Sequence, residues 1–552
     1  MAGTGGIRGS AAALTGDPLE AVFAYNEATK HHFHAYARGP GQLDWANQPD
    51  PFRRYVGAPL LPLDHIPPTD DPLYEPAFLL GAIPPAALNR STLSQLFFDS
   101  LSLSAWKEAG GTRWALRVNP SSGNLHPTEG YLLAGPVEGL SETAGIFHYA
   151  PREHALELRA SLSPEQWDAL SVSFPHGTFF AGLTSIHWRE AWKYGERAYR
   201  YCQHDVGHAL GALAIAAAGL GWEAQLLDDL GTAELAHILG TAEVGAAEPE
   251  HPDCLVAVFP AGAGTTTAGQ PQGVLPDALV WNGQPNGLSA EVLDWNLDPI
   301  TVAGSKPPTA ATYEPYRSPF PSLEWETSPL HLRRIIRQRR SAVAMDAHTG
   351  ITREAFYQML RKTLPGPGQV PFTTLPWCPR VHLLLFVHRV QDLDPGLYLL
   401  VRDPGQLASL RDALDPGFAW EKAVACPDGM ELFRLVTGDA RRVAAQVSCG
   451  QDIAADGCFS LAMLAEFEGP LQRHGAWFYP RLFWECGLIG QVLYLEAEAS
   501  GVRATGIGCF FDDPVHELLG LKDRAYQDLY HFTVGGAIED RRLSTLPAYP
   551  GE

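Results

Sequence analysis

Residues 195–221 read GERAYRYCQHDVGHALGALAIAAAGLG, and residues 475–501 read GAWFYPRLFWECGLIGQVLYLEAEASG. A shift of 280 superimposes the two stretches without a gap. The matched residues include Gly195/Gly475, Tyr199/Tyr479, Gly207/Gly487 and Gly221/Gly501. Both stretches are rich in Ala, Leu and Gly, which predicts two long helices that can pack closely through small residues. One structural unit is therefore expected to occur twice in the chain.

A second pair of similar stretches supports the duplication. Residues 131–156 read YLLAGPVEGLSETAGIFHYAPREHAL, and residues 382–407 read HLLLFVHRVQDLDPGLYLLVRDPGQL. Each predicts a strand, a turn and a second strand that ends in a polar hairpin. A shift of 251 gives the matches Pro120/Pro371, Gly145/Gly396 and Leu156/Leu407. The change of shift from 251 to 280 implies 29 extra residues in the second copy, between about residues 408 and 470. Chance similarity of amphipathic stretches is the alternative.

We therefore predict an α+β chain in which two copies of one fold form an intrachain pseudo-dimer. Each copy would contain a mixed sheet flanked by helices, and the long helices would meet across a pseudo-twofold axis. A Gly-, Pro- and Thr-rich stretch indicates a linker, and the first residues, which lack periodicity, indicate an extension that wraps a neighbouring domain. The predicted domains are 1–75 (N-terminal extension), 76–265 (first domain), 266–325 (linker) and 326–552 (second domain).

The charge of the chain argues against several kinds of partner. The 552 residues include 40 Lys and Arg and 62 Asp and Glu, which gives a formal net charge of −22. Such an acidic chain is not expected to bind nucleic acid or an anionic membrane surface, although it leaves room for a local basic pocket. The longest apolar stretch, residues 209–222, is too short to span a bilayer. Without a signal-peptide pattern, we expect a soluble cytoplasmic protein.

No metal site is predicted. The eight cysteines include no CxxC pair, so we expect them to be small buried hydrophobic residues in a reducing compartment. His204 and His208 lie on one helical face, but no pattern supplies a third zinc ligand. We interpret them as core or network histidines, and the neighbouring Asp205 as an acceptor that orients its hydrogen-bond donors.

One loop of the first half has residues suited to a flat polar ring. Residues 119–124 read Asn-Pro-Ser-Ser-Gly-Asn after a strand-like stretch. Two hydroxyls, backbone N–H groups and an amide could bind the edge of a heteroaromatic ring. The same residue types also favour an ordinary turn.

The second half has residues suited to a phosphate monoester. It opens with an arginine-rich stretch that includes Arg339-Arg340-Ser341, and Arg541-Arg542 lie near its end. Arginine clusters bind phosphate well, although each cluster alone is typical of a solvated helix face. Gly506 and Gly508 would let the backbone approach a ring, or they could form only a helix cap and turn.

In this order, these motifs resemble the flavin-dependent nitroreductase family, whose members bind FMN in a groove between two subunits. In that family, one subunit supplies the arginine–serine start, the glycine loop and a basic pair near its end. The other subunit supplies the Pro-Ser-Ser-x-Asn loop. Here the second half has Pro371-Phe372-Thr373-Thr374-Leu375 in place of that loop, and the first half has Leu226-Leu227-Asp228 in place of the glycines. The resemblance implies a duplicated FMN-dependent nitroreductase-like fold, with one competent and one degenerate FMN site.

The resemblance also implies which residues contact FMN. They are Pro120, Ser121, Ser122 and Asn124 from the first half, and Arg339, Arg340, Ser341, Gly506, Gly508, Arg541 and Arg542 from the second. Val343 stands where the family often has a further basic residue. Which of the four arginines touch the phosphate therefore stays open.

A longer motif narrows the resemblance. Residues 188–201 read WREAWKYGERAYRY, and residues 25–31 read YNEATKH. Both are similar to segments of the SagB-type dehydrogenases, the azoline oxidases of thiazole- and oxazole-modified peptide biosynthesis. The resemblance implies that Lys193 and Tyr194 are catalytic, and Arg473-His474 replace them in the second half. A surface lysine beside a packed tyrosine is the alternative.

Three functions follow as hypotheses. The first is an FMN-dependent oxidoreductase that transfers hydride between a ring or modified-peptide substrate and flavin N5. In it, Lys193 would accept a proton, and Tyr194 would donate or accept one. The second is an NAD(P)H-dependent nitro or quinone reductase. The third is a flavin-free scaffold that binds a peptide or partner. Substrate identity and oligomeric state are left open.

Overall fold

The computed structural model describes residues 16–242, 247–263, 279–309, 313–314, 316–321 and 328–550. The helices before residue 304 are α1 (Pro18–Ala28), α2 (Arg90–Ser100), α3 (Pro164–Ser171), α4 (His187–Tyr194), α5 (Ala198–Ala218), α6 (Thr232–Leu239) and α7 (Asp298–Ala303). The later helices are α8 (Leu332–Gln338), α9 (Arg353–Lys362), α10 (Leu407–Ala413), α11 (Arg441–Val447), α12 (Ile453–Asp456), α13 (Glu468–His474), α14 (Tyr479–Ala499) and α15 (Asp512–Leu519).

The strands are also given in two groups, those of the first half and those that follow. Those of the first half are β1 (Tyr55–Val56), β2 (Leu60–Pro62), β3 (Leu103–Ala109), β4 (Thr112–Arg117), β5 (Thr128–Ala134), β6 (Gly145–Ala150), β7 (Ala155–Ser161), β8 (Phe179–Ser185), β9 (Trp222–Leu226), β10 (His251–Pro260) and β11 (Gln284–Pro285). Those that follow are β12 (Val381–Val387), β13 (Gly396–Val401), β14 (Glu421–Lys422), β15 (Glu431–Thr437), β16 (Phe459–Glu466), β17 (Arg503–Ile507), β18 (Tyr526–Gly535) and β19 (Ser544–Leu546).

Six strands of each seven-stranded sheet share one topology, which confirms the duplication, while the edge strands β2 and β14 differ in their place along the chain. The strand orders of the two sheets are β2-β7-β6-β5-β8-β10-β9 and β14-β15-β13-β12-β16-β18-β17. The strand pairs of the two sheets are antiparallel, so the expectation of mixed sheets is wrong. The physical reason is that α5 joins β8 to β9, and β10 lies between those two strands. The helical crossover therefore relates strands that are not neighbours.

The pairing of Leu156 with Leu407 is wrong, although the extra residues lie close to where the sequence predicts them. β6 and β13 begin at the matched glycines Gly145 and Gly396, as the shift of 251 predicts. Leu156, however, lies in β7, whereas Leu407 begins α10. Four residues, 151–154, join β6 to β7, while residues 402–430 join β13 to the equivalent strand β15. Most of this longer connection lies within the predicted range of about 408 to 470, although the connection begins at residue 402.

The long helices α5 and α14 cross at two glycines in the middle of the molecule. A Cβ atom added to Gly207 would lie 2.4 Å from the Trp484 carbonyl oxygen and 2.8 Å from Gly487 Cα. One added to Gly487 would lie 2.4 Å from the His204 carbonyl oxygen. Only glycine permits this backbone contact. One hydrophobic core consequently runs through both halves, with residues of both long helices at its centre.

Segments of each half reach into the other. Beyond α1, Lys30 Nζ lies 2.8 Å from Asp513 Oδ1 of the second half. At the opposite terminus, β19 pairs with β3 of the first half. β2, within the predicted extension, forms the edge of the first sheet. Of the predicted linker, residues 266–278, 310–312, 315 and 322–325 lie outside the described residues, and α7 belongs to the rest.

Among the residues that the structure describes, no helix is both long and apolar enough to cross a membrane.

Replacing Gly207 with alanine should destabilise the whole chain. The added methyl group would meet backbone atoms of α14 that cannot move independently, so we expect a net loss of about 1–3 kcal/mol in the free energy of unfolding. Urea denaturation measures this loss. Gly469→Ala in α13 is the matched control, because a Cβ there meets nothing within 4 Å. Equal stability of the two variants would contradict the close crossing.

Candidate active site between the two halves

A cavity of about 500 Å³ lies between the halves, beside the crossing of α5 and α14. Its walls bring together most of the residues that the sequence motifs single out. These are Pro120, Ser121, Ser122, Asn124 and Tyr194 from the first half, and Arg339, Arg340, Ser341, Gly506 and Gly508 from the second. A volume of this size is typical of sites for cofactors and small ligands.

Residues 119–124, the serine loop, are held against α5 by Asp205. Ser122 donates its backbone N–H and its hydroxyl to Asp205 Oδ1, at 3.0 and 3.1 Å. Asn124 donates its amide to the Ala115 carbonyl at 2.9 Å, and its Oδ1 lies 3.1 Å from His126 Nε2. The Asn124 side chain therefore shapes the loop from within. Asp205 orients its donors, as the sequence suggested.

Asp205 is also a buried acid on the cavity wall. Burial raises its pKa to about 7, although hydrogen bonds from Ser121 and Ser122 oppose the rise. Glu190 lies close by, and burial together with the Asp205 charge raises its pKa well above the usual value. Neither carboxylate oxygen of Glu190 has a hydrogen-bond partner among the described residues. A carboxyl with a pKa of about 7 can exchange a proton at neutral pH.

Lys193 and Tyr194 end α4 above the serine loop. A Cβ added to Gly123 would lie 2.5 Å from Tyr194 Oη and 3.0 Å from Lys193 Nζ. Tyr194 lines the cavity, whereas Lys193 is not among the residues that line it. Burial raises the pKa of Tyr194 well above its usual value, so its hydroxyl stays protonated and can act as a donor.

Two glycines form the opposite wall. A Cβ added to Gly506 would lie 1.9 Å from Tyr530 Oη, and one added to Gly508 would lie 2.3 Å from Tyr201 Cε1. Tyr201 also donates its hydroxyl to the Gly508 carbonyl at 3.1 Å. A side chain at either position would displace the neighbouring tyrosine. Glycine therefore allows the backbone of this wall to pack directly against Tyr530 and Tyr201.

One end of the cavity is strongly basic. Arg340 donates to the backbone carbonyls of Arg337, Arg339 and Ser104. Burial and the charges of Arg339 and Arg337 lower the pKa of Arg340 to about 9. Burial also lowers the pKa of Arg339, whose Nε has no partner among the described residues. A buried cation cluster with lowered pKa values favours a bound anion.

Two further cations at this end were not predicted from the sequence. Lys107 comes from β3 and Arg503 from the start of β17, and both line the cavity. Lys107 Nζ donates to Thr545 Oγ1 at 2.7 Å, across the β3–β19 pair. Arg503 Nε lies 3.5 Å from Glu498 Oε2. No local motif marks either residue; only the pairing of distant strands places Lys107 here.

Arg541 and Arg542 are not brought to the cavity wall. Both are exposed, and Arg542 Nη2 forms an ion pair with Asp540 at 2.7 Å. Asp540 and Leu543 on either side of them line the cavity. The turn at this point therefore directs the two arginines towards solvent.

The symmetry-related position in the other half is filled by side chains. Asp228 replaces Gly508 there and Arg481 replaces Tyr201, and Arg481 Nε lies 3.1 Å from Asp228 Oδ1. Tyr313 also donates its hydroxyl to Asp228. A cavity of only about 60 Å³ lies beside Arg481 and Trp484. One site is open and its counterpart is closed.

Asp205→Asn should change the pH dependence of stability. In the folded chain the pKa of Asp205 is about 7, above its usual value of 3.8. The folded state therefore binds this proton more tightly, and the carboxyl costs stability as pH rises from about 4 to about 7. Between pH 5 and pH 8, the unmodified chain should lose about 3 kcal/mol more of its free energy of unfolding than the variant.

Urea titrations at pH 5 and pH 8, without added ligand, measure this difference. Asp168→Asn is the control, because Asp168 is an exposed aspartate of α3 and the substitution should leave the pH dependence unchanged. Parallel pH profiles for the chain and the Asp205 variant would show that the buried carboxyl does not titrate in this range.

Comparison with known proteins identifies the fold. No protein-family model matches the chain, and no curated protein matches it. A solved structure from Anabaena variabilis, described as a nitroreductase, is similar over 94% of this chain and 99% of its own, with 21% identity and a TM-score of 0.67. A Ralstonia eutropha protein described as a nitroreductase aligns with 40% of this chain and 96% of its own, with 16% identity and a TM-score of 0.29. The Escherichia coli microcin synthetase McbBCD complex, with truncated pro-MccB17 bound, aligns with 37% of this chain and 68% of that chain, with 18% identity and a TM-score of 0.26. The chain thus has a nitroreductase-like fold, built in duplicate.

Proposed function

We propose that this chain is an FMN-dependent oxidoreductase that transfers hydride between a ring or modified-peptide substrate and the flavin. The observation that carries the proposal is the shared cavity, in which a serine loop of one half faces buried arginines of the other. A polar loop, a glycine wall and a basic end suit a flat ring with a phosphate tail. FMN is a ligand of this shape and charge.

Phosphate binding is assigned to the basic end. Arg339 and Arg340 are buried and their pKa values are lowered, so a phosphate dianion would restore the charge balance that the cluster lacks. Lys107 and Arg503 would approach the same phosphate. Arg541 and Arg542 point to solvent and are not needed for this assignment.

The ring would lie between the serine loop and the glycine wall. Ser121 and Ser122 line the cavity on one side, and Gly506 and Gly508 line it on the other. When bound, FMN accepts a hydride at N5, which is the part of the reaction that the protein cannot supply. The closed counterpart site implies one FMN per chain.

The protein would supply the proton transfer. Removing hydrogen from an azoline-like ring releases a proton as well as a hydride, so an acceptor is required. Lys193 lies above the serine loop beside Tyr194, and Asp205 lies beneath that loop with a pKa of about 7. We assign proton acceptance to Lys193, donation to Tyr194, and support of the loop to Asp205. The substrate class follows from the SagB-like motif at residues 188–201.

Arg340→Gln should weaken FMN binding without weakening riboflavin binding. Riboflavin has the same ring but no phosphate, so only FMN loses a charged hydrogen bond. Such a bond contributes about 1.5–3 kcal/mol, and we therefore expect the dissociation constant of FMN to rise about 10- to 100-fold. Isothermal titration calorimetry with both ligands measures the difference.

The matched control is Arg541→Gln, an exposed arginine that lies off the cavity wall. It should bind both ligands as the unmodified chain does. Equal weakening of FMN and riboflavin by Arg340→Gln would remove the phosphate assignment. A chain that binds neither ligand would favour the flavin-free scaffold.

Lys193→Ala should retain one FMN per chain but react slowly. Loss of a general base typically costs about 100- to 10,000-fold in rate. Anaerobic loss of the visible flavin absorbance, with azoline-containing peptides as substrates, measures the step. Lys522→Ala, at an exposed lysine, is the control and should react normally. Unchanged reduction in the Lys193 variant would exclude its role, and fast NADH oxidation with a nitroaromatic acceptor would favour a reductase.

A further inference from the structure

Two cysteines from separate loops meet beside the cavity. Cys449 lies between α11 and α12, and Cys509 lies between β17 and α15. Their sulfur atoms are 2.8 Å apart, and both residues are partly exposed. A disulfide bond is ~2.05 Å long, so bonding requires the sulfurs to approach by less than about 1 Å. This pair differs from the expectation of buried, inert cysteines.

The loops that carry the two cysteines are fastened to each other. Gln451 donates its amide to the Ser448 carbonyl and to the Cys509 carbonyl, each at 2.9 Å. Cys449 has a left-handed backbone, with φ of 57°, which is uncommon for a residue other than glycine. Cys509 lines the cavity next to Gly508. The pair is thus preorganised on the wall of the proposed active site.

His31 provides a polar partner for Cys509. Its Nδ1 accepts the Ala37 backbone N–H at 2.9 Å. This bond leaves the proton of the neutral ring on Nε2. His31 helps to lower the pKa of Cys509, so the N-terminal segment favours a thiolate there.

The surrounding charges favour ionisation of Cys509. Hydrogen bonding by Cys449 lowers the pKa of Cys509 below its usual value, with further lowering by His31 and Arg197 and an opposing effect of burial. The charge of Asp512 raises the pKa of Cys449. The charges of the two cysteines in turn contribute to a raised pKa of Tyr36. Thiolate is the reactive form of cysteine.

We propose that Cys449 and Cys509 form a reversible redox-active dithiol that exchanges with low-molecular-weight disulfides. The inference rests on the sulfur–sulfur contact, the exposure of both residues and the hydrogen bond from Gln451 that fastens their loops together. It requires no flavin, so it stands or falls separately from the proposed function.

The exchange is balanced by the external disulfide. The Cys509 thiolate attacks one sulfur of the disulfide, a mixed disulfide forms, and the first thiolate leaves. The Cys449 sulfur then attacks Cys509 Sγ and releases the second thiolate, which takes up the Cys449 proton. Two electrons pass from the protein to the external disulfide, which becomes one thiolate and one thiol.

Bond formation would alter one wall of the cavity. It would tie the loop after β17, which includes Gly508 and Cys509, to the loop between α11 and α12. The oxidation state of the pair would then set how freely this wall can move.

Glutathione disulfide added to the reduced full-length chain tests the proposal. The free thiol count should fall from eight to six, and peptide mapping should find a Cys449–Cys509 bond. The bond should be reversed by dithiothreitol. Eight free thiols after exposure to glutathione disulfide would overturn the proposal.

Variants separate the two roles. Cys449→Ser should stop at a stable mixed disulfide on Cys509, and Cys509→Ser should prevent formation of both products. Cys378→Ser is the control, since Cys378 is also partly exposed but lies away from the pair, and it should form the bond normally. A mixed disulfide on Cys449 instead would contradict the assigned order of attack.

Alkylation gives an independent measurement that does not depend on disulfide formation. At pH 6, iodoacetamide should modify Cys509 about tenfold faster than Cys378, because its larger thiolate fraction outweighs its lower nucleophilicity. His31→Ala should reduce this advantage without changing the rate at Cys378. Equal rates at Cys509 and Cys378 would show that Cys509 is not an activated thiol.

Discussion

The backbone contact between Gly207 and Gly487 is the constraint on which the rest of the structure depends. It brings α5 and α14 so close that the two halves share one core. Asp205 lies two residues before Gly207 on α5, and Tyr494 lies two turns after Gly487 on α14. Because the crossing fixes the two helices relative to each other, it also fixes the positions of the Asp205 and Tyr494 side chains. The cavity walls follow from that placement.

The basic end of the cavity has a different origin. Arg339 and Arg340 follow α8, while Lys107 belongs to β3 and is held by the chain terminus through β19. With Arg503 of β17, three distant segments thus contribute positive charge to one place in a chain whose net charge is −22. Burial lowers the pKa values of Arg339 and Arg340, so the protein keeps these cations at a cost in stability. Such an arrangement is typical of a site selected for binding rather than for folding.

Much of this organisation could be predicted from the sequence because it repeats. The matched glycines of α5 and α14 predicted the helix crossing, and the matched strands predicted the two sheets. Lys107 and Arg503 could not be predicted, because strand pairing between distant segments brings them to the cavity. Leu156 and Leu407 were paired by similarity, although one lies in a strand and the other begins a helix. Both are leucines next to polar turns, so local pattern could not distinguish them.

The ion pair between Asp228 and Arg481 shows what joining two copies in one polypeptide allows. In an assembly of identical subunits, every substitution is made in all of them, so an aspartate in place of a wall glycine would block each site. Here Asp228 closes one position while Gly508 keeps its counterpart open. Covalent fusion therefore allows one copy to keep an open cavity wall while the other fills the equivalent position with an ion pair. The closed position is part of the scaffold that supports the open one.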